Sequence, residues 1–283
     1  MSPSMQSTST VTATTSNTGH HSFIAIFDAA GEPVYLETWP VALNSATNPP
    51  VIAAATISGA AVVVLASPGV STVDYRVWDP SGGTLASQWL FLAPTDARTR
   101  DVEIAPDGTV YAVGTLAATI DFDPGVGTVT LTHGGAAGDD GFVAAFSNAG
   151  SVQWAKRFGS TTPTRLYTSR VSAVLPDSSI AISVPSGLVF AIGDQSSPEM
   201  SVTTSGAAEN GYLFVLDSAG TPQWIRYVAD PATTGFAGAS ASPTHLFVGT
   251  RKASTTIDVD GTLTHTGAEP NLVRYSTGGS ALL

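Results

Sequence analysis

The sequence predicts an all-β fold, a β-propeller of about five four-stranded blades with an incomplete first blade, on three observations. One hairpin design recurs five times, and a second hairpin lies between successive copies. No segment carries a sustained apolar stripe of helical period. Four-stranded units strung along a chain in this way stack around an axis in propellers. Residues 1–19 are rich in Ser and Thr and read as an N-terminal segment outside the repeat domain, which takes residues 20–283.

The recurring hairpin occupies residues 23–39, 74–90, 142–158, 212–228 and 271–283. Each copy opens with an alternating strand that ends on a large apolar residue: Phe27, Trp78, Phe146, Leu216 or Tyr275. Asp or Ser follows (Asp28, Asp79, Ser147, Asp217, Ser276), with glycine three positions later (Gly31, Gly82, Gly150, Gly220, Gly279). An Asp or Ser oxygen accepts hydrogen bonds from backbone N–H groups inside such a turn, and glycine takes the positive φ that lets the second strand leave. Turn closure is therefore the reading of these Asp residues, with a ring of ligands as the functional alternative.

The second hairpin is clearest in residues 101–114, where Pro106, Asp107 and Gly108 form the turn. It recurs around Pro176 and Asp177, around Pro243, and around Ser58 and Gly59. Two hairpins per unit make four strands. The equivalent apolar positions 27, 78, 146, 216 and 275 are separated by 51, 68, 70 and 59 residues, a spread that reads as outer loops of varied length. The first unit lacks a clear partner for its recurring hairpin, and the last ends on a short strand. Closure into a five-unit ring, the N-terminal pair completing it, is expected over a segment of a longer propeller with open edges.

Composition narrows the function classes. The chain has 283 residues, 43% of them hydrophobic, which is ample for a buried core. Only 12% are charged, against about 25% in soluble domains generally, and Ser, Thr, Ala and Gly stand in their place. The net charge of −11, from 11 Lys and Arg against 22 Asp and Glu, repels a phosphate backbone, so nucleic acid is not an expected partner. With no cysteine, disulfide frameworks, thiolate nucleophiles and Cys-ligated metals are excluded. The first residues carry neither a basic nor an apolar signal region, and apolar runs such as residues 51–66 fall short of the ~20 residues of a membrane span. Membrane insertion is not expected.

The candidate metal ligands are Asp121 and Asp123 in IDFDPG, with Asp258 and Asp260 in the matching IDVDG. A D-x-D pair before glycine presents two hard oxygens on a tight loop, as calcium requires, although the further ligands and bidentate Glu of a full calcium loop are missing. Asp139 and Asp140 stand near enough in sequence to add ligands. Of the five histidines (His20, His21, His133, His245, His265), His133 and His265 occupy matching places, which points to shared loop geometry. Trp39, Trp89, Trp154 and Trp224 fall in the fourth strands of their units and Trp78 in a third strand. Packing between blades is expected of them, with sugar stacking the alternative. No nucleophile elbow, zinc-protease helix, Walker loop or dinucleotide fingerprint occurs, so no enzymatic activity is expected.

Residues 114–159 resemble the bacterial SBBP-type β-propeller repeat through the DFDPG turn, the run LT…G…D-x-FV and the G-x-x-x-W hairpin with its trailing FG. The likeness is fair in residues 209–228 and 256–275 and weak in residues 49–92, which lack the DFDPG turn. It implies a secreted or cell-surface bacterial protein and no common catalytic activity. The expected function is binding of a protein or carbohydrate partner through loops at one mouth of the ring, in residues 93–100, 124–141, 159–170 and 194–210. A structural spacer of a larger envelope protein, and a calcium-dependent propeller enzyme, are the alternatives.

Overall fold

The computed structural model describes residues 21–27, 30–40, 51–57, 60–67, 72–78, 85–92, 97–123, 125–134, 140–160, 171–186, 189–194, 197–203, 210–229, 235–251, 256–259, 263–266, 271–279 and 281–282. Every regular element among them is a β-strand, and every pairing is antiparallel.

The first hairpin pairs β1 (His21–Phe27) with β2 (Pro33–Pro40). The second unit is a four-stranded meander of β3 (Val51–Ile57), β4 (Ala60–Ser67), β5 (Thr72–Trp78) and β6 (Leu85–Leu92). The third has β7 (Ala97–Ile104), β8 (Val110–Leu116), β9 (Ile120–Asp121), β10 (Thr130–Leu131), β11 (Asp140–Phe146) and β12 (Val152–Ser160). The fourth has β13 (Val171–Val174), β14 (Ile180–Ser186), β15 (Val189–Asp194), β16 (Ser197–Thr203), β17 (Asn210–Leu216) and β18 (Pro222–Ala229). The fifth has β19 (Gly235–Ala241), β20 (His245–Arg251), β21 (Thr256–Val259), β22 (Leu263–Thr266), β23 (Asn271–Ser276) and β24 (Ala281–Leu282).

The turns follow the sequence. Ser147 Oγ accepts from Ala149 N (3.3 Å) and Ser151 N (3.2 Å), and Asp217 Oδ1 accepts from Ala219 N (3.0 Å) and Thr221 N (2.8 Å). Gly150, Gly220 and Gly279 each donate to the carbonyl three residues earlier at 2.9 Å, with φ of 84°, 82° and 85°. That is a type I turn with a left-handed glycine, and the register shifts at its mouth in β1, β5, β11 and β17. The second hairpin closes the same way: Asp107 Oδ1 accepts from Thr109 N at 2.9 Å and Asp177 Oδ1 from Ser179 N at 3.0 Å. At Pro243 the turn is closed by Ser242, whose N–H donates to the His245 carbonyl. Ser58 and Gly59 lie outside the described residues.

The varied intervals have a different cause from loop length alone. From the third unit on, a third hairpin sits between the second and third strands. In the second unit, which ends the shortest interval, β4 and β5 are joined without one. Two of these inserted hairpins leave their own unit. β15 pairs with β12 of the preceding unit through Phe158↔Ile192, Gly159↔Ala191 and Ser160↔Phe190, and β21 pairs with β18 through Val228↔Val259 and Ala229↔Asp258. The result is two six-stranded sheets, β7-β8-β11-β12-β15-β16 and β13-β14-β17-β18-β21-β22 as connected by hydrogen bonds. These two inserted hairpins thus tie their units to the ones before. β9 and β10 pair only with each other among the described residues.

The core lies between sheets. Every residue of β8 and β11 is buried, and alternate residues belong to different clusters. Val110, Ala112, Leu116, Phe142, Ala144 and Phe146 face Ile120 and Phe122 of the inserted segment. Tyr111, Val113, Val143 and Ala145 face Ile180, Ile182, Tyr212, Phe214 and Leu216 of the fourth unit. The other face of that unit, Ala181, Leu213 and Val215, meets Leu246, Val248 and Tyr275 of the fifth. A sheet with two dry faces needs apolar residues at both parities, which is why these strands read as continuous apolar runs. Full burial of each such Phe or Leu contributes about 1.5–3 kcal/mol.

The first strands of successive units are neighbours: β7 packs beside β3 and β13, and β13 beside β19. Because first and second, and third and fourth, strands of a unit pair antiparallel, the strand ends joined by its tight turns fall at one end of its sheet. The connections between second and third strands, and between units, fall at the other.

Candidate functional site

The acidic turn is used by its own backbone. Asp121 Oδ1 accepts from Asp123 N (3.0 Å) and from Val129 N (2.8 Å), across the loop between β9 and β10. Asp123 Oδ1 accepts from Gly125 N (2.7 Å). A Cβ on Gly127 would sit 1.9 Å from Asp123 Oδ2, so a side chain there would displace that carboxylate. Asp258 lies in β21 opposite Thr264, in the equivalent hairpin, and Asp260 lies outside the described residues. Among the described residues no three of His, Asp and Glu converge as a metal-holding group.

Asp140 does not extend that loop toward solvent. It is 4% exposed, and its Oδ2 accepts from Gly134 N at 2.7 Å and lies 3.1 Å from Arg157 Nε. The Arg157 N–H does not point at the oxygen, so the contact is an ion pair without an Nε hydrogen bond. Its role is to anchor the end of the inserted segment to β11 and β12, which corrects the expectation that it adds a ligand. His133 approaches the same oxygen at 3.9 Å. Asp139 lies outside the described residues, as does His20. His21 stands opposite Pro40, His265 opposite Ile257, and His245 Nδ1 lies 2.8 Å from Thr244 Oγ1. The structure does not bring His133 and His245 together with the acidic turn.

The tryptophans divide. Trp154 and Trp224 occupy one register position, opposite Ala145 and Val215, and each reaches the recurring turn of the next unit. Trp154 Nε1 donates to Ser218 O at 2.9 Å, and a Cβ on Gly220 would lie 2.6 Å from the indole. Trp224 Nε1 donates to Thr277 O at 3.1 Å, and a Cβ on Gly279 would lie 2.8 Å from it. Arg226 Nε adds a 2.8 Å bond to Gly279 O. The glycines are therefore required twice, for the left-handed turn and for the face the indole covers. Trp39 and Trp89 stand opposite Ser22 and Tyr75, the positions of Phe158 and Lys156 rather than of Trp154. The equivalents of Trp154 are Tyr35 and Ser87.

One cluster was not singled out from the sequence. The first strand β7 reads ARTRDVEI, whereas β3, β13 and β19 read VIAAATI, VSAV and GFAGASA. Burial and the neighbouring Asp101 carboxylate push the Glu103 carboxyl up to about 8. Burial, with Asp107, Asp177 and Asp217 nearby, likewise holds the Tyr111 phenol protonated, and its hydroxyl donates to Ser178 O at 2.6 Å across units. The strand-by-strand comparison of first strands is the signal that could have found β7.

The expected contact segments are partly strand. Residues 97–100 belong to β7, 159–160 to β12, and 197–203 to β16, whose Met200 and Val202 pack on the core. Residues 93–96, 135–139, 161–170 and 204–209 lie outside the described residues.

No family model matches the chain, and no curated protein matches it. Among solved structures, the crystal structure of an ACO/RPE65 chimera is similar at a TM-score of 0.38 and 15% identity, over 90% of this chain and 57% of that one. A likeness of that degree bears on neither fold nor chemistry.

Proposed function

We propose that the chain is a non-catalytic β-propeller module, secreted or displayed at a bacterial cell surface, that binds a protein or carbohydrate partner through the connections at one end of its sheets. The observation that carries this reading is the sorting of the two ends. Within a unit the strand ends closed by tight, backbone-satisfied turns lie at one end of the sheet, and the ends of β8, β12 and β16, which precede the long connections, lie at the other. Variable connections on a rigid stack are where recognition is usually placed. The propeller itself is supported by sheets buried on both faces and by first strands that neighbour one another in chain order. A surface with net charge −11 favours neutral glycans or basic protein faces over nucleic acid.

A glycan array probed with the whole chain tests the reading, alongside variants in which residues 161–170 or 204–209 are replaced by short Gly-Ser linkers. Binding that the replacements abolish, with thermal stability kept, supports it. Binding that survives both replacements and is lost on altering the tight turns overturns it. Calorimetry with Ca²⁺ and with EDTA decides the metal: a higher Tm in Ca²⁺ that Asp121→Asn and Asp258→Asn remove assigns the ion to the acidic turns.

A further inference from the structure

We propose that the β9–β10 hairpin is a strap that closes onto β6, adding β9 to the outer edge of the second unit's sheet and so locking the third unit to the second. The closed form of such a strap occurs twice in the chain. β15 pairs with β12 at Phe158↔Ile192, and β21 pairs with β18 at Val228↔Val259. Phe158 and Val228 occupy one position of the repeat, four residues beyond Trp154 and Trp224. In the second unit the same position is Phe91, four residues beyond Ser87 and near the end of β6. β6 is the last strand of its sheet, and β9 pairs only with β10 among the described residues.

The hairpin stands where closure needs it. β10 packs beside β12, the fourth strand of its own unit, as β16 packs beside β18. Ile120 and Phe122 are 1% and 0% exposed, and Phe122 meets Phe142 at 4.8 Å between ring centroids, so side chains hold β9 in place. The Phe122 N–H donates to Val129 O on the β10 side at 2.9 Å. Main-chain groups alternate between the two edges of a strand, so those of Asp121 face away from β10. The sequence carries the same design: IDFD at residues 120–123 repeats IDVD at residues 257–260, and Asp258 pairs with Ala229 of the preceding unit. In that register Asp121 meets Leu92 and Phe122 meets Phe91. Bare strand edges hold main-chain donors and acceptors that such pairing satisfies. Closure of the strap is independent of the partner proposed above.

Paired cysteines in the whole chain test it, because the sequence has no cysteine of its own. Facing residues of an antiparallel pair stand about 4.5–5.5 Å apart between Cα atoms, within disulfide reach. Leu92→Cys with Asp121→Cys is oxidised beside Ala229→Cys with Asp258→Cys, the closed copy, and the disulfide is read by mass after alkylation. Closure of both pairs is expected. A 92–121 pair that stays reduced while 229–258 closes overturns the proposal. Amide hydrogen exchange gives a second readout that leaves Asp121 in place. Exchange at Asp121 is expected to be at least about fivefold slower in the parent than in Leu92→Pro, with exchange along β21 the same in both. Equal exchange at Asp121 in the two chains also overturns it.

Discussion

Replacing Trp224 by alanine removes one of the contacts that join the fourth unit to the fifth. The side chain is 8% exposed, stacks on Tyr275 at 6.0 Å between ring centroids, and donates to Thr277 O. Removal of a buried Trp or Phe costs about 3–5 kcal/mol, of which about 1 belongs to the hydrogen bond. Trp224→Phe should therefore lose about 1–2 kcal/mol and Trp224→Ala at least about 3. Gly279→Ala has two costs, about 1–2 kcal/mol for a side chain at φ 85° and a further cost for a Cβ placed 2.8 Å from the indole. Only the second depends on Trp224. Urea unfolding followed by circular dichroism on the two single variants and the double variant should give a coupling of at least about 1 kcal/mol, because the clash vanishes once the indole is gone. Strictly additive costs, or a Trp224→Ala variant within about 1 kcal/mol of the parent, would show that the indole does not bind the units together.

Three further outcomes follow from individual residues. Ser178 is the non-glycine residue at positive φ (65°) among those described, so Ser178→Gly should raise stability by up to about 1 kcal/mol in the same assay. Asp140→Ala leaves Arg157 buried without its partner and should cost about 3–5 kcal/mol, much of it regained when Arg157→Leu is added. Glu103 has a carboxyl pushed from 4.5 to about 8, so the folded state holds more protons than the unfolded state between those values. Its contribution is full below pH 4.5 and is lost as pH rises toward 8, by at most about 1.4 kcal/mol per pH unit. Glu103→Gln should flatten that decline, and an unchanged pH profile would contradict the burial argument.

The strands that alternate cleanly and the turns with Asp, Ser or Gly at fixed offsets were legible in the sequence, because each is decided within about ten residues. Phe142–Phe146 and Tyr212–Leu216 announce buried strands, and Ser147 and Asp217 close turns as their chemistry requires. The inserted hairpins were not legible as such. VFAIGDQSSPEMSVT carries Gly, Pro and Ser like a loop, and its strand pairing is with β12, a partner that no local pattern identifies. The tryptophans misled for a related reason: all four sit in fourth strands, but Trp39 stands four residues beyond Tyr35 and Trp89 two beyond Ser87, the positions in register with Trp154. Asp121 and Asp123 were visible as a D-x-D pair, while their hydrogen bonds back to the loop depend on how the chain closes around Gly125 and Gly127.

Successive units turned about one axis are most directly tested by pulsed electron spin resonance between nitroxides on equivalent turn positions. Ala149, Ala219 and Gly278 are exposed and precede the glycines of three successive turns, and a chain without cysteine takes the labels cleanly at Ala149→Cys, Ala219→Cys and Gly278→Cys. Rotation about an axis predicts narrow, equal distances for the pairs 149–219 and 219–278, and a 149–278 distance clearly shorter than those two laid end to end. A 149–278 distance equal to their full sum, or a broad distribution for any pair, would contradict it.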